Sequence, residues 1–204
     1  FNVTHISTAP QKLPDYIKAA AGIEAFYFRD PDGNTLELID FPTDKGNPRW
    51  QKPTDKLFLG IDHTAIAISN TNTSRQFYQN LLGLKVAGES ENYGTEQEHL
   101  NNVKGARLRI RGLKADAGIG IEFLEYLQPK NARPLPQDST PKDLIYWETT
   151  LVVEDADLAI EKLRQSGYQF ISEGIAKITE PALGFKRAFL VRDPDGHALR
   201  IVER

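Results

Sequence analysis

Near the start of the chain an alternating run, Phe26 to Arg29, enters the turn Asp30-Pro31-Asp32-Gly33 and leaves as a second alternating run, Leu36 to Phe41. The same arrangement returns near the end: Phe189-Leu190-Val191-Arg192-Asp193-Pro194-Asp195-Gly196, followed by Leu199 to Glu203. Two period-two runs joined by a Pro-Asp-Gly turn predict a β-hairpin, and their recurrence predicts a structural repeat.

Between the hairpins lie two similar strand-like openings, Gly60 to Ile68 and Tyr146 to Val153, each followed by a helical pattern. The first helix, around Thr73 to Leu82, puts Phe77, Leu81 and Leu82 on one face and stops at Gly83. The second starts at Asp155, a good N-cap, aligns Ala159, Ile160 and Leu163, and stops at Gly167. Strands are predicted at Leu84 to Glu89, Ala106 to Gly112 and Ile119 to Tyr126 after the first helix, and at Tyr168 to Ser172, Arg187 to Arg192 and Leu199 to Glu203 after the second. The order is therefore strand, helix, three strands, twice.

Pro-rich polar stretches read as linkers at 43–56 and from Asn131 to Asp143. The expected organisation is a half-module at 1–42, that linker, and a two-module domain at 57–204, its modules spanning 57–129 and 144–204. A two-stranded hairpin alone is marginal. A missing N-terminal module is the expected cover for it; a second copy of the chain in a homo-oligomer and packing of the arm on its own domain are the alternatives.

Charge is mildly acidic, 25 Lys plus Arg against 28 Asp plus Glu, with no basic block to neutralise phosphates, so nucleic acid is not an expected partner. Cysteine is absent, which excludes thiolate chemistry and leaves His, carboxylate and water as metal donors. No apolar run approaches the roughly 20 residues that span a bilayer, so no membrane partner is expected either, and the cytoplasm is the expected location.

The order of elements and the repeated Asp-Pro-Asp-Gly turn, followed by Leu36-Glu37 in its first copy, resemble the vicinal-oxygen-chelate superfamily of glyoxalases, bleomycin-resistance proteins and extradiol dioxygenases. The resemblance implies an α+β fold, paired βαβββ modules in a curved mixed sheet around a cleft, preceded here by the hairpin of a C-terminal half-module. In that family the first and fourth strands of each module supply metal ligands. The matching positions here are His63, Glu122, Glu148 and Arg200, with Glu37 as the equivalent in the leading half-module, its partners expected in sequence outside this chain.

Strand alternation puts Ile66 and Ile68 toward the helix and His63 toward the cleft, with Glu122 facing the cleft from the fourth strand. His63, Glu122 and Glu148 form the expected set for zinc, manganese, iron or nickel, with Glu122 or Glu148 as a catalytic base. The alternative is a hydrogen-bonded histidine beside an ion-pair cluster. Arg200 cannot coordinate and is expected to pair with Glu148 or Glu122. Arg107, Arg109 and Arg111 share one strand face; with Arg200, Arg107 and Arg109 are the candidates for binding an anionic small molecule, a solvated face being the alternative. Tyr93, Trp147 and Phe185 are candidate pocket aromatics, with Trp147 expected in the core, and His99 and His197 are expected at the surface.

The implied activity is that of a metal-dependent lyase, isomerase or dioxygenase acting on a small oxygenated molecule. Ring-cleaving dioxygenases of the superfamily use two His and one Glu, which this set lacks. A metal-free protein that sequesters a small ligand is the alternative.

Overall fold

The computed structural model describes residues 2–204. The fold is α+β and divides into two compact units, residues 1–68 with 85–132, and residues 69–84 with 133–204.

Unit 1 holds two sheets. The first is antiparallel: β3 (Glu24–Arg29) pairs along one side with β4 (Thr35–Asp40), and along the other with the short β1 (Thr4–His5) and β2 (Gln11–Lys12). The hairpin register sets Tyr27 opposite Glu37 and Phe26 opposite Leu38. The second sheet has the order β5 (His63–Ile68), β8 (Gly120–Gln128), β7 (Arg107–Lys114), β6 (Lys85–Asn92), with β5 parallel to β8 and the rest antiparallel. Ile66 and Ile68 are buried on β5, as alternation expects of its apolar side. A short helix, α2 (Thr95–Asn101), ties to the first sheet through Ser7. Its hydroxyl donates to the Leu100 carbonyl at 2.6 Å and accepts the Tyr27 amide at 2.7 Å. This helix lies in a stretch that reads as polar loop, because only Gln97 and Leu100 are buried along it.

Unit 2 repeats the mixed topology in the order β10 (Ala176–Lys177), β11 (Arg187–Arg192), β12 (Ala198–Glu203), β9 (Glu148–Val153), with β9 parallel to β12. The expected strand at Tyr168 to Ser172 is reduced to a single bridge, Phe170 to Val191. The segment hydrogen-bonds irregularly to β11, with the Ile171 and Ser172 amides sharing the Leu190 carbonyl. Helix α3 (Ala156–Gln165) starts where Asp155 accepts the Leu158 amide at 2.9 Å, and buries Ile160 and Leu163.

Helix α1 (Thr71–Arg75), continued by a π-helical turn at Gln76–Leu81, groups with unit 2, not with the strands that flank it in sequence. Phe77 packs its ring against Tyr168 at 4.6 Å between centroids, and the Tyr78 hydroxyl donates to Asp193 at 2.9 Å.

The repeated turns fold alike. Asp30 accepts the amides of Asp32 and Asn34, as Asp193 accepts those of Asp195 and His197, and Arg29 and Arg192 each donate to the turn glycine's carbonyl at 2.6 Å. Gly33 and Gly196 have φ of +90° and +93°, a conformation that a side chain would strain. Their surroundings differ: Phe189, Val191, Leu199 and Ile201 are fully buried, whereas Leu36 and Leu38, the equivalents of the last two, are exposed.

Candidate functional site

A cavity of about 80 Å³ opens within unit 1, walled by apolar side chains of both sheets, including Leu13, Ala25, Ile39, Leu108, Ile110 and Leu124. Cavities of roughly 150 Å³ accept a benzene-sized molecule, so this one suits a few heavy atoms. Glu37, His63, Glu122 and Tyr27 are the charged and phenolic groups on its lining. Glu37 and Tyr27 reach it because they are cross-strand partners on the same hairpin face. Glu122 lies opposite Ala65, two residues along β5 from His63, so strand alternation puts both on one face.

His63 Nε2 stands 3.8 Å from Glu37 Oε2 and 3.7 Å from Glu122 Oε2, while its Nδ1 is 2.9 Å from Asp62 Oδ2. Burial pushes Glu37 up, the neighbouring Glu122 charge adds to it, and His63 and the Tyr27 hydrogen bond only partly offset them, so its carboxyl rises to about 7. Glu122 is raised by burial too, against the opposing charge of His63. Burial alone would lower His63; the Asp62 hydrogen bond and the charges of Glu122 and Glu37 outweigh it and carry the imidazole to about 9. Three carboxylates thus surround one imidazolium.

The other expected site residues do not line this cavity. Glu148 is in unit 2, paired with Arg200 at 2.5 Å and accepting from the Tyr146 hydroxyl at 3.0 Å. Arg107 and Arg109 do not face the cavity, which corrects the facing expected for them. In β7 it is Leu108 and Ile110 that line it, and the arginines project from the opposite face, where Arg107 pairs with Glu91 and Arg109 with Glu125 at 3.1 Å. The reason is that the apolar side of β7 turns to the cavity between the two sheets of unit 1. Trp147 is exposed rather than core, and His197, expected at the surface, is buried with its ring bonded to Asp193 at 2.9 Å. His99 is exposed, Phe185 is in unit 2, and Tyr93 packs on Tyr16 at 5.3 Å between centroids.

The partners of Glu37 are therefore within this chain. Its alternation with Leu36 and Leu38 marks it as facing away from them, but which residues meet it depends on how the hairpin docks. Asp62 belongs to no motif, and its place next to His63 is the one signal of it in the sequence.

The family model of the Glyoxalase/Bleomycin resistance protein/Dioxygenase superfamily matches residues 60–201. A glyoxalase family protein from Bacillus cereus superposes with a TM-score of 0.60 at 18% identity, over 74% of this chain and 98% of that one. One from Enterococcus faecalis gives 0.50 at 24% identity, over 72% and 100%. At these identities the likeness is one of fold. None of the curated proteins matches the sequence, and among the described residues no helix is long and apolar enough to cross a membrane.

Proposed function

This chain belongs to the glyoxalase/bleomycin resistance protein/dioxygenase superfamily, and we propose that its unit 1 cavity is the active site of a divalent-cation-dependent lyase or isomerase for a small oxygenated molecule. Glu37, His63 and Glu122 would hold the cation: zinc, manganese, iron or nickel. Among the described residues no three His, Asp or Glu groups already form a coordination cage, so the fit rests on donor type. An imidazole with two carboxylates suits these metals, and the carboxyl values, raised first by burial, mark a dry site in which a cation's charge would be strongly felt. The donor set holds one His and two Glu, which differs from the two His and one Glu of ring-cleaving dioxygenases.

When bound, the cation supplies Lewis-acid polarisation of the substrate's oxygens. Glu37, balanced near neutrality at about 7 when it is not engaged by the cation, is suited on leaving the coordination set to take a proton from a carbon beside a carbonyl and hold it on its carboxylate. The Tyr27 hydroxyl donates to that carboxylate and restrains its rotation. The apolar walls keep water from competing for the same proton.

The observation that carries this reading is the convergence of Glu37 and Glu122 on one nitrogen of His63. Metal analysis of protein purified without a chelating column, followed by calorimetric titration with zinc, manganese and nickel, tests it. One cation per chain, lost in His63→Ala, is the expected result. Absence of binding would favour a second reading, a metal-free protein that sequesters a small ligand. One observation supports that alternative: the His63 imidazolium can itself neutralise the carboxylates.

A further inference from the structure

His63 is held from behind by a segment whose proline content reads as a linker. Trp50 lies in a 3₁₀ turn at Pro48–Gln51, and its indole N–H donates to Asp62 Oδ1 at 2.5 Å. The other oxygen of Asp62 meets His63 Nδ1 at 2.9 Å. Trp50 is itself seated: the Arg49 guanidinium lies over its ring at 4.0 Å and donates to the Ile61 carbonyl at 3.1 Å. Gly60, with φ of +145°, lets the ring approach so closely that a Cβ there would stand 3.3 Å from Trp50 Cη2.

We propose that Trp50 and Asp62 are positioning residues that fix the tautomer His63 adopts when its ring is neutral, keeping the single proton on Nδ1 and the lone pair on Nε2 toward Glu37 and Glu122. The inference rests on the reading of that cavity as a cation site. Trp50 has only a donor to offer, so it claims one Asp62 oxygen as an acceptor and leaves the second for the Nδ1–H. A histidine ligand keeps its ring orientation and basicity through such a partner on the far nitrogen.

The arrangement makes Asp62→Asn informative. Trp50 would still claim the single carbonyl oxygen, so the amide NH₂ would face His63 Nδ1 and drive the proton to Nε2, where it blocks a cation. Replacing Trp50 with Phe as well removes that demand, and the carboxamide at position 62 can then turn its oxygen back to the Nδ1–H.

The test combines zinc titration with ¹⁵N spectra of His63 at pH 10, where the imidazole is neutral, assigned against His63→Ala. The wild type should show the Nδ1–H form. Asp62→Asn should shift to Nε2–H and weaken zinc binding about 10- to 100-fold. Asp62→Asn combined with Trp50→Phe should regain the Nδ1–H form and about tenfold in affinity, a rescue that loss of structural support would not give. Unchanged tautomer in Asp62→Asn, or a double variant no better than the single one, overturns the inference. If Asp62→Asn fails to fold, Asp62→Ala replaces it, with mixed tautomers expected and an unchanged Nδ1–H form overturning the proposal. If the wild type binds no zinc yet the tautomer follows these substitutions, the positioning role stands and the cation reading falls.

Discussion

Glu37 Oε2 lies 3.8 Å from His63 Nε2 although the two residues belong to different sheets. Glu37 is on the leading hairpin, opposite Tyr27, and His63 opens the parallel strand β5. The contact brings a carboxylate from the leading hairpin to His63, the residue proposed as the first cation ligand, and the first predictions below follow from it.

Cation affinity should depend on Glu37 and not on Glu148. Glu37→Gln is expected to weaken zinc binding about tenfold or more, because one anionic donor is lost, whereas Glu148→Gln should leave it nearly unchanged, Glu148 being matched with Arg200 at 2.5 Å. Calorimetric titration of both variants distinguishes this ligand set from one that includes Glu148.

Zinc binding should tighten as pH rises from 6 to 9. A ligand must shed its proton to coordinate, and His63 at about 9 and Glu37 at about 7 both hold protons in this range. Titrations at pH 7 in buffers of different ionisation enthalpy should register release of more than one proton per cation.

Without a cation, thermal stability should fall over the same range. Both groups bind protons more tightly folded than unfolded, so their contribution is complete at low pH. Glu37's part is lost between its ordinary 4.5 and about 7, and His63's between 6.5 and about 9. Melting curves from pH 5 to 9 should show the decline, and Glu37→Gln should remove its lower portion. A melting temperature rising through this range would contradict the charge arrangement.

The two copies of the repeat should respond differently to the same truncation. Phe189 is 1% exposed, so Phe189→Ala should cost about 3–5 kcal/mol. Phe26 occupies the equivalent position on a half-buried face, and Phe26→Ala should cost about 1 kcal/mol. Denaturant unfolding of each variant provides the comparison, and equal losses would mean that the outer face of the leading hairpin is packed as tightly as its counterpart.

Tyr78→Phe should destabilise unit 2 by about 1–3 kcal/mol, since it removes a hydroxyl that donates to the buried Asp193. The loss should appear in urea unfolding midpoints without a change in zinc affinity.

Local chemistry by itself determined much of this protein. Period-two alternation and the Asp-Pro-Asp-Gly turns specify both hairpins, and Asn70 and Asp155 cap their helices through hydrogen bonds that involve only neighbours in sequence. Alternation also makes His63 and Glu122 share a face once β5 and β8 pair. Tertiary structure decided what could not be read locally. Which face of β7 meets a cavity depends on what packs against it, so the facing of Arg107 and Arg109 was not determined by their spacing. Helix α1 and the turn that continues it found their partners, Tyr168 and Asp193, far along the chain, because an amphipathic face specifies only that it be buried, not where. The meeting of Glu37, His63 and Glu122 is of the same kind: alternation orients each side chain, but only the docking of one sheet against another brings their charges within a few ångströms.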